Sequence, residues 1–306
     1  MFIVGMSGGL GNQMYEYAFY EALRKHYGNS AVKMDVFKTR KLEHNGYELK
    51  NVFGIDVAQA NAKEICQLSS MVPHDAFLGE IRSKVKKKLF YKGIIKCNQW
   101  DQPDYTAYYP EVFQFDKSSS LYFNGVWANE KYFKDIASYL IEKFQFQKEL
   151  DEKNKKTVQE MKNTESVGVH IRRGDYAQFG ANIVSSGYYQ SALQYIQSKT
   201  NKQIKVYVFS NDNEEARKVI GNQYDACFVD WNTGKQSYRD MQLMSCCKNN
   251  ITANSSFSFW GAYLNQYKNK IVIAPTATFS PNNQFPFTAD GWINMDESGR
   301  IVAGNS

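Results

Sequence analysis

No run in the sequence approaches the roughly 18 uninterrupted apolar residues of a membrane span, so an integral membrane protein is not expected. The opening residues, MFIVGMSGGLGNQM, have no basic n-region and no cleavage-site pattern, which argues against a signal peptide. Histidine is scarce, with four in 306 residues. The five cysteines stand at no metal-ligand spacing, so neither a zinc site nor a disulfide framework is expected. An odd set of free thiols fits a reducing compartment, and the expected location is cytoplasmic. On that reading the sequons at 250–252 and 254–256 are chance matches. Charge bias is small too. The 37 basic and 31 acidic residues leave a net +6, too little to argue for nucleic acid. There is no internal repeat of fixed period.

Apolar residues are plentiful. They make up 43% of the chain and aromatics 15%, enough for two substantial cores, and the length favours about two domains. In the second half, short β-rich runs at 167–171, 204–209, 226–229, 250–253 and 271–274 alternate with helical stretches near 187–199, 213–221, 236–247 and 256–267. That alternation calls for a parallel sheet with right-handed crossovers. Such sheets bind ligands beyond the carboxyl ends of their strands, where the strand order switches. The first half begins with a strand at 2–5, a glycine-rich turn, a helix from about Asn12 to Tyr27 and a strand at 32–35. The stretch 36–120 reads as irregular; a strand near 121–126 and a helix at about 130–146 follow. The charged segment 147–166 should hold the boundary, giving domains 1–150 and 151–306.

Three motifs carry chemistry. GGLGNQM at 8–14 joins a strand to a helix, but Met14 stands where a dinucleotide fingerprint needs its third glycine, and no P-loop lysine follows. Gly9 and Gly11 exceed what a helix cap at Asn12 needs; they allow close backbone approach to a ligand. HIRRGDY at 170–176 ends a strand on two arginines. A guanidinium there can grip phosphate oxygens through parallel bonds. His170 shares a strand face with Arg172, whereas Arg173 points the other way. Asp175 can pair an arginine, accept a proton or hold the turn. In RDMQLMSCCKNNITANSSFSFWGAY at 239–263, Asn254, Ser255 and Ser256 fall where a strand ends and a helix begins, a setting suited to a diphosphate or to plain helix capping. Asp240, near the start of the preceding helix, can cap it or read two adjacent N–H donors such as those of guanine. GVWANEKYF at 125–133 sets Glu130 beside Trp127 and Tyr132, which fits a sugar site or an ordinary amphipathic start equally.

Taken in order, GGLGNQMYEYAF, HIRRGDY and DMQLMSCCKNNITANSSFSFWGAYLN resemble glycosyltransferase family 11, the bacterial α-1,2-fucosyltransferases. The resemblance covers 1–25 and most of 167–275 and says little of 36–120. It implies a GT-B-like α/β fold, two Rossmann-like domains facing across a cleft, with 1–150 on the acceptor side and 151–306 binding GDP-fucose. It implies transfer of fucose with inversion to the 2-hydroxyl of a β-galactoside, without a metal or cofactor. The acceptor would be a galactose-containing oligosaccharide or a lipid-linked glycan in surface glycan synthesis. Carried over by position, Arg172 would hold the β-phosphate and His170 would face the nucleoside. Asp240 would read guanine, and Ser256 with the backbone of Phe257 would hold phosphate. Arg173, Asn254, Ser255, Gly9 and Gly11 complete the expected donor set. Asn12 would face the reaction centre, and Asp175, Glu16 and Glu130 are candidate bases. Trp127, Glu130 and Tyr176 are the expected acceptor contacts.

Other readings are a GDP-fucose transferase of different linkage, such as α-1,6, a sugar-nucleotide-binding module without turnover, and a dinucleotide oxidoreductase. The basic run RSKVKKKLFYK at 82–92 reads as a solvated helix face, with weak contact to anionic lipid as the alternative.

Overall fold

The computed structural model describes residues 1–40, 45–73, 77–174 and 181–303. Asp175 and Tyr176 lie outside the described residues. The chain divides into two compact units, Met1–Lys143 and Phe144–Ser306.

Unit 1 contains β1 (Phe2–Gly5), α1 (Leu10–Tyr27), β2 (Val32–Asp35), α2 (Glu48–Phe53), α3 (Ala62–Leu68), α4 (Phe77–Tyr91), β3 (Gln99–Asp101), β4 (Leu121–Asn124) and α5 (Ala137–Lys143). Its sheet has the order β2-β1-β4-β3, with all pairs parallel. The fully buried run of β1 is what a parallel strand covered on both faces requires. Helix α1 starts at Leu10, earlier than the sequence reading, because Gly9 is its N-cap and Asn12 already lies in the first turn. The stretch 36–120, expected to be irregular, contains α2, α3, α4 and β3. The helix expected at 130–146 is instead two 3-10 turns followed by α5. An aromatic core fills one side of the sheet. Phe19 of α1 stacks on Trp127 at 3.9 Å, and Phe123 and Tyr132 meet the Trp127 ring edge-on.

Unit 2 contains α6 (Glu152–Asn163), β5 (Glu165–Ile171), α7 (Ser186–Thr200), β6 (Ile204–Ser210), α8 (Asn213–Ile220), β7 (Asp225–Val229), α9 (Tyr238–Cys246), β8 (Asn249–Ile251), α10 (Ser256–Tyr263), β9 (Val272–Pro275), β10 (Ile293–Met295) and β11 (Ile301–Val302). The sheet order is β11-β10-β9-β8-β5-β6-β7, parallel throughout except for β11. Alternate side chains supply two cores. Val206 and Val208 join one, and Tyr207 and Phe209 the other. Both sheets therefore belong to the α/β class that the sequence pattern implies.

Candidate active site

In unit 2 the chain leaves β5 for β6 on one side and later returns to β8 on the other. The strand order therefore switches between β5 and β8, which places the expected ligand crevice at their carboxyl ends. His170 and Arg172 emerge from the end of β5, and Asn254–Phe257 lead from β8 into α10. The His170 and Phe257 rings lie 5.7 Å apart, so the two expected motifs meet. Burial and the neighbouring Arg172 charge push the His170 pKa down to about 3, leaving a neutral imidazole at physiological pH. Its buried Nδ1 has no hydrogen-bond partner among the described residues. A buried polar atom in that state needs an explanation, and a bound ligand supplies one.

Arg173 behaves differently. Its Nη1 donates to the Val184 carbonyl at 2.7 Å and its guanidinium covers the Tyr189 ring. Its backbone N–H donates to Asn211 Oδ1 at 3.1 Å. Gly174 belongs to the same arrangement, because a Cβ there would come within 2.8 Å of Asn211 Nδ2. Arg173, expected in the donor set, instead fastens the loop, because neighbouring residues at a strand end face opposite sides.

The polar residues after β8 divide in the same way. Asn254 is buried and donates from Nδ2 to the carbonyls of Asn182 (2.8 Å) and Thr278 (3.0 Å). It ties three loops together. Ser255 is the N-cap of α10 but makes no side-chain capping bond, so capping does not account for its hydroxyl. Ser258, which sequence reasoning missed, closes the turn through Ala253 and Ser255. Ser256 stands at the first position of α10, where backbone N–H groups point outward.

Asp240 lies in the first turn of α9. Burial raises its pKa to about 7, and a hydrogen bond from Asn232 opposes the rise. That bond, 2.9 Å from Asn232 Nδ2 to Asp240 Oδ1, ends a chain of amides. Asn154 of α6 donates to Asn232 Oδ1 at 2.9 Å and accepts from Asn232 Nδ2 at 3.2 Å. It also accepts from Trp231 Nε1 (2.9 Å) and donates to Asp151 (2.7 Å). The paired amides fix which end of Asn232 faces the carboxylate. Nothing in the local sequence around Asn154 or Asn232 signals this, because the partners are 78 residues apart.

Unit 1 has a switch of its own, between β1 and β4. The turn after β1 uses Gly8 at φ +73°, a left-handed conformation that glycine permits. The Gly9 carbonyl then accepts from Asn12 and Gln13 N–H groups at 3.0 and 3.1 Å. Gln13 is fully buried and donates to the Gly8 and Gly46 carbonyls. Gly11 is buried within α1, and Asn12 is partly exposed. Glu16, a candidate base, is fully buried and accepts from the Ser7 N–H (2.9 Å) and hydroxyl (3.1 Å). Burial raises its pKa well above the usual carboxylate range, against the Ser7 bonds and the Lys38 charge. Nearby, Tyr122 donates to Asp35 at 2.9 Å, crossing over Gly5, where a Cβ would come within 2.6 Å of the hydroxyl. Lys38 donates to Asn124 Oδ1 (3.2 Å), and Asn124 donates to Asp101 (2.7 Å).

Trp127 requires a correction. Expected to contact acceptor, it is fully buried, stacked between Phe19 and Trp100. Its φ of +61° is unusual for a residue with a side chain. The Gln102 side chain holds it there, accepting from the Val126 (3.1 Å) and Trp127 (2.9 Å) N–H groups. The ring is therefore a core element rather than a sugar platform. Glu130 is partly exposed on the 3-10 turn capped by Asn129.

The pattern of glycosyl transferase family 11 matches residues 1–294. The chain is 30% identical to an Escherichia coli O-antigen biosynthesis glycosyltransferase, WbnK, over 95% of this chain and 99% of the relative. It is 30% identical to an Escherichia coli alpha-1,2-colitosyltransferase, covering 96% and 99%. Among solved structures, the NodZ alpha-1,6-fucosyltransferase co-crystallized with GDP is similar in fold, with a TM-score of 0.51 at 14% identity, covering 98% of this chain and 97% of that one. With the pattern spanning nearly the whole sequence and both relatives matched end to end, this chain belongs to glycosyl transferase family 11.

Proposed function

We propose that the protein transfers L-fucose from GDP-β-L-fucose to the 2-hydroxyl of a β-galactoside with inversion, in surface glycan synthesis. The observation that carries this reading is the contact of His170 with Phe257, which brings the end of β5, one residue before Arg172, to the start of α10 at the switch between β5 and β8. Departure of GDP builds negative charge on the β-phosphate. Arg172, the Ser256 hydroxyl and the positive end of α10 supply fixed positive charge and donors at that edge. His170, neutral by burial, faces the nucleoside as a hydrogen-bonding group. Asp240, held by Asn232, reads the N1 and N2 donors of guanine.

In this reading unit 1 binds the acceptor, and Asn12 and Glu130 are its proposed contacts. Glu16 serves the glycine turn rather than the acceptor, since both its oxygens are engaged by Ser7. Asp175, the first residue beyond Gly174, is the proposed base for the attacking hydroxyl. No metal is required, so activity should survive EDTA. The test is GDP-fucose turnover against a panel of galactosides, with NMR of the product linkage. Absence of an α-1,2 product, or an α-1,6 one, would defeat the proposal.

A second donor is favoured by one observation, the similarity to a colitosyltransferase over nearly full length. Colitose lacks the 3-hydroxyl of fucose. Parallel turnover with GDP-fucose and GDP-colitose separates the two donors, because a site built to bond that hydroxyl rejects the sugar lacking it.

A further inference from the structure

Helix α4 leaves part of its aliphatic surface turned outward. A surface helix ordinarily turns its aliphatic stripe toward the core. Here Ser83, Lys86, Leu89 and Phe90 are partly buried, and Lys86 Nζ donates to the carbonyls of Cys66 (2.5 Å) and Ser69 (2.8 Å). Ile81 and Val85, one turn apart, are instead 43% and 52% exposed. Arg82, Lys84, Lys87 and Lys88 are exposed around them. Just beyond, Tyr91 and Ile94 are 61% and 65% exposed, with Lys92 and Lys96 also exposed. From 77 to 98 the sequence has seven basic residues and a single acidic one, Glu80.

We propose that α4 is an interfacial helix that lays this face on an anionic bilayer. Ile81 and Val85 enter the headgroup boundary, and the flanking lysines meet lipid phosphates. Charge decides the occupant. A second copy of the same face would oppose its own lysines, whereas an anionic surface complements them. The helix lies on the bilayer rather than through it, since among the described residues no helix is long and apolar enough to cross a membrane. Docking has a geometric consequence within unit 1. Burial raises the Tyr91 pKa, and the Asp101 carboxylate at the end of β3 adds to the rise, which sets the end of α4 near that strand. The helix therefore sets the carboxyl edge of the first sheet beside the lipid surface.

The test is flotation of the full chain with vesicles of phosphatidylcholine alone and of phosphatidylcholine mixed with phosphatidylglycerol. Binding is expected only with phosphatidylglycerol and should be reversed by high salt. Replacing Lys84, Lys87 and Lys88 by alanine should weaken it by about fivefold per lysine. The pair Ile81→Ser and Val85→Ser should abolish retention. Turnover on a soluble galactoside and the circular dichroism spectrum should be unchanged in both variants. Absence of binding, or equal binding to neutral vesicles, would overturn the proposal. So would a parallel loss of turnover, or self-association that the serine pair abolishes while vesicle binding persists.

Discussion

The two units share one architectural device and use it in opposite ways. Each builds a parallel sheet whose order reverses beside its first strand, between β1 and β4 in one and between β5 and β8 in the other. At the first reversal the chain's own side chains satisfy one another: Glu16 with Ser7, Asp35 with Tyr122, Lys38 with Asn124 and Asp101. At the second, a neutral His170, followed by Arg172 at the end of β5, meets the start of α10 through the Phe257 ring. Topology selects where a site can stand. The charge and pairing of a few side chains decide whether that place holds an anion.

The largest effect should come from Trp127→Ala, which empties the aromatic core of unit 1. A loss of about 3–5 kcal/mol is expected for a buried tryptophan, measured by urea unfolding. GDP affinity of the folded protein should not change. If GDP binding falls with stability, the two reversals are not separable.

Arg172→Ala should do the converse. Turnover should drop by about 10²–10³-fold, as when a fixed donor to a developing anion is removed, with the unfolding midpoint preserved. Near-normal turnover would remove the phosphate role from this edge.

Asp240 gives a pH signature. Its folded pKa is raised to about 7, above that of the unfolded chain, so this group favours the fold at low pH and loses that contribution as pH rises through about 7. The proposed guanine contact requires the ionised form, so on that reading GDP affinity should strengthen across the same interval. Asp240→Asn should flatten that profile, and Asn232→Leu should weaken GDP about tenfold or more by freeing the carboxylate. Calorimetric titration at several pH values checks both, and a flat wild-type profile would count against base reading.

The smallest effect belongs to Glu16→Gln. Burial raises the Glu16 pKa, so its contribution to stability also declines as pH rises above the usual carboxylate range. The amide can keep a bond from Ser7, and stability at neutral pH should stay within about 1 kcal/mol of wild type. A large fall would show that the charge pairing with Lys38 is essential to the first edge.

Much of unit 2 was legible because its strands are short apolar runs that alternate with helices, and because His170, Arg172 and Ser256 sit in contiguous motifs at strand ends. The first unit was harder. β3 is three residues long, and its place in the sheet depends on pairing with β4 rather than on its own pattern. Trp127 misled for a physical reason. An aromatic residue beside polar ones reads as a sugar platform, yet its ring direction is set by a left-handed backbone that Gln102 enforces from 25 residues away. The amide chain behind Asp240 was invisible for the same reason, since side-chain pairs between distant segments leave no local spacing.

That amide chain bears on how the protein can be cut. Asn154 stands in the first turn of α6, ahead of every strand of the second sheet. A fragment beginning at β5 would retain the whole sheet, Arg172 and the start of α10, yet leave Asn232 without its paired amide and Asp240 without a fixed orientation. If Asp240 reads guanine as proposed, such a fragment should still bind diphosphate but lose its preference among bases, and a base-selective fragment would have to begin no later than Asp151, which caps α6 and bonds Asn154.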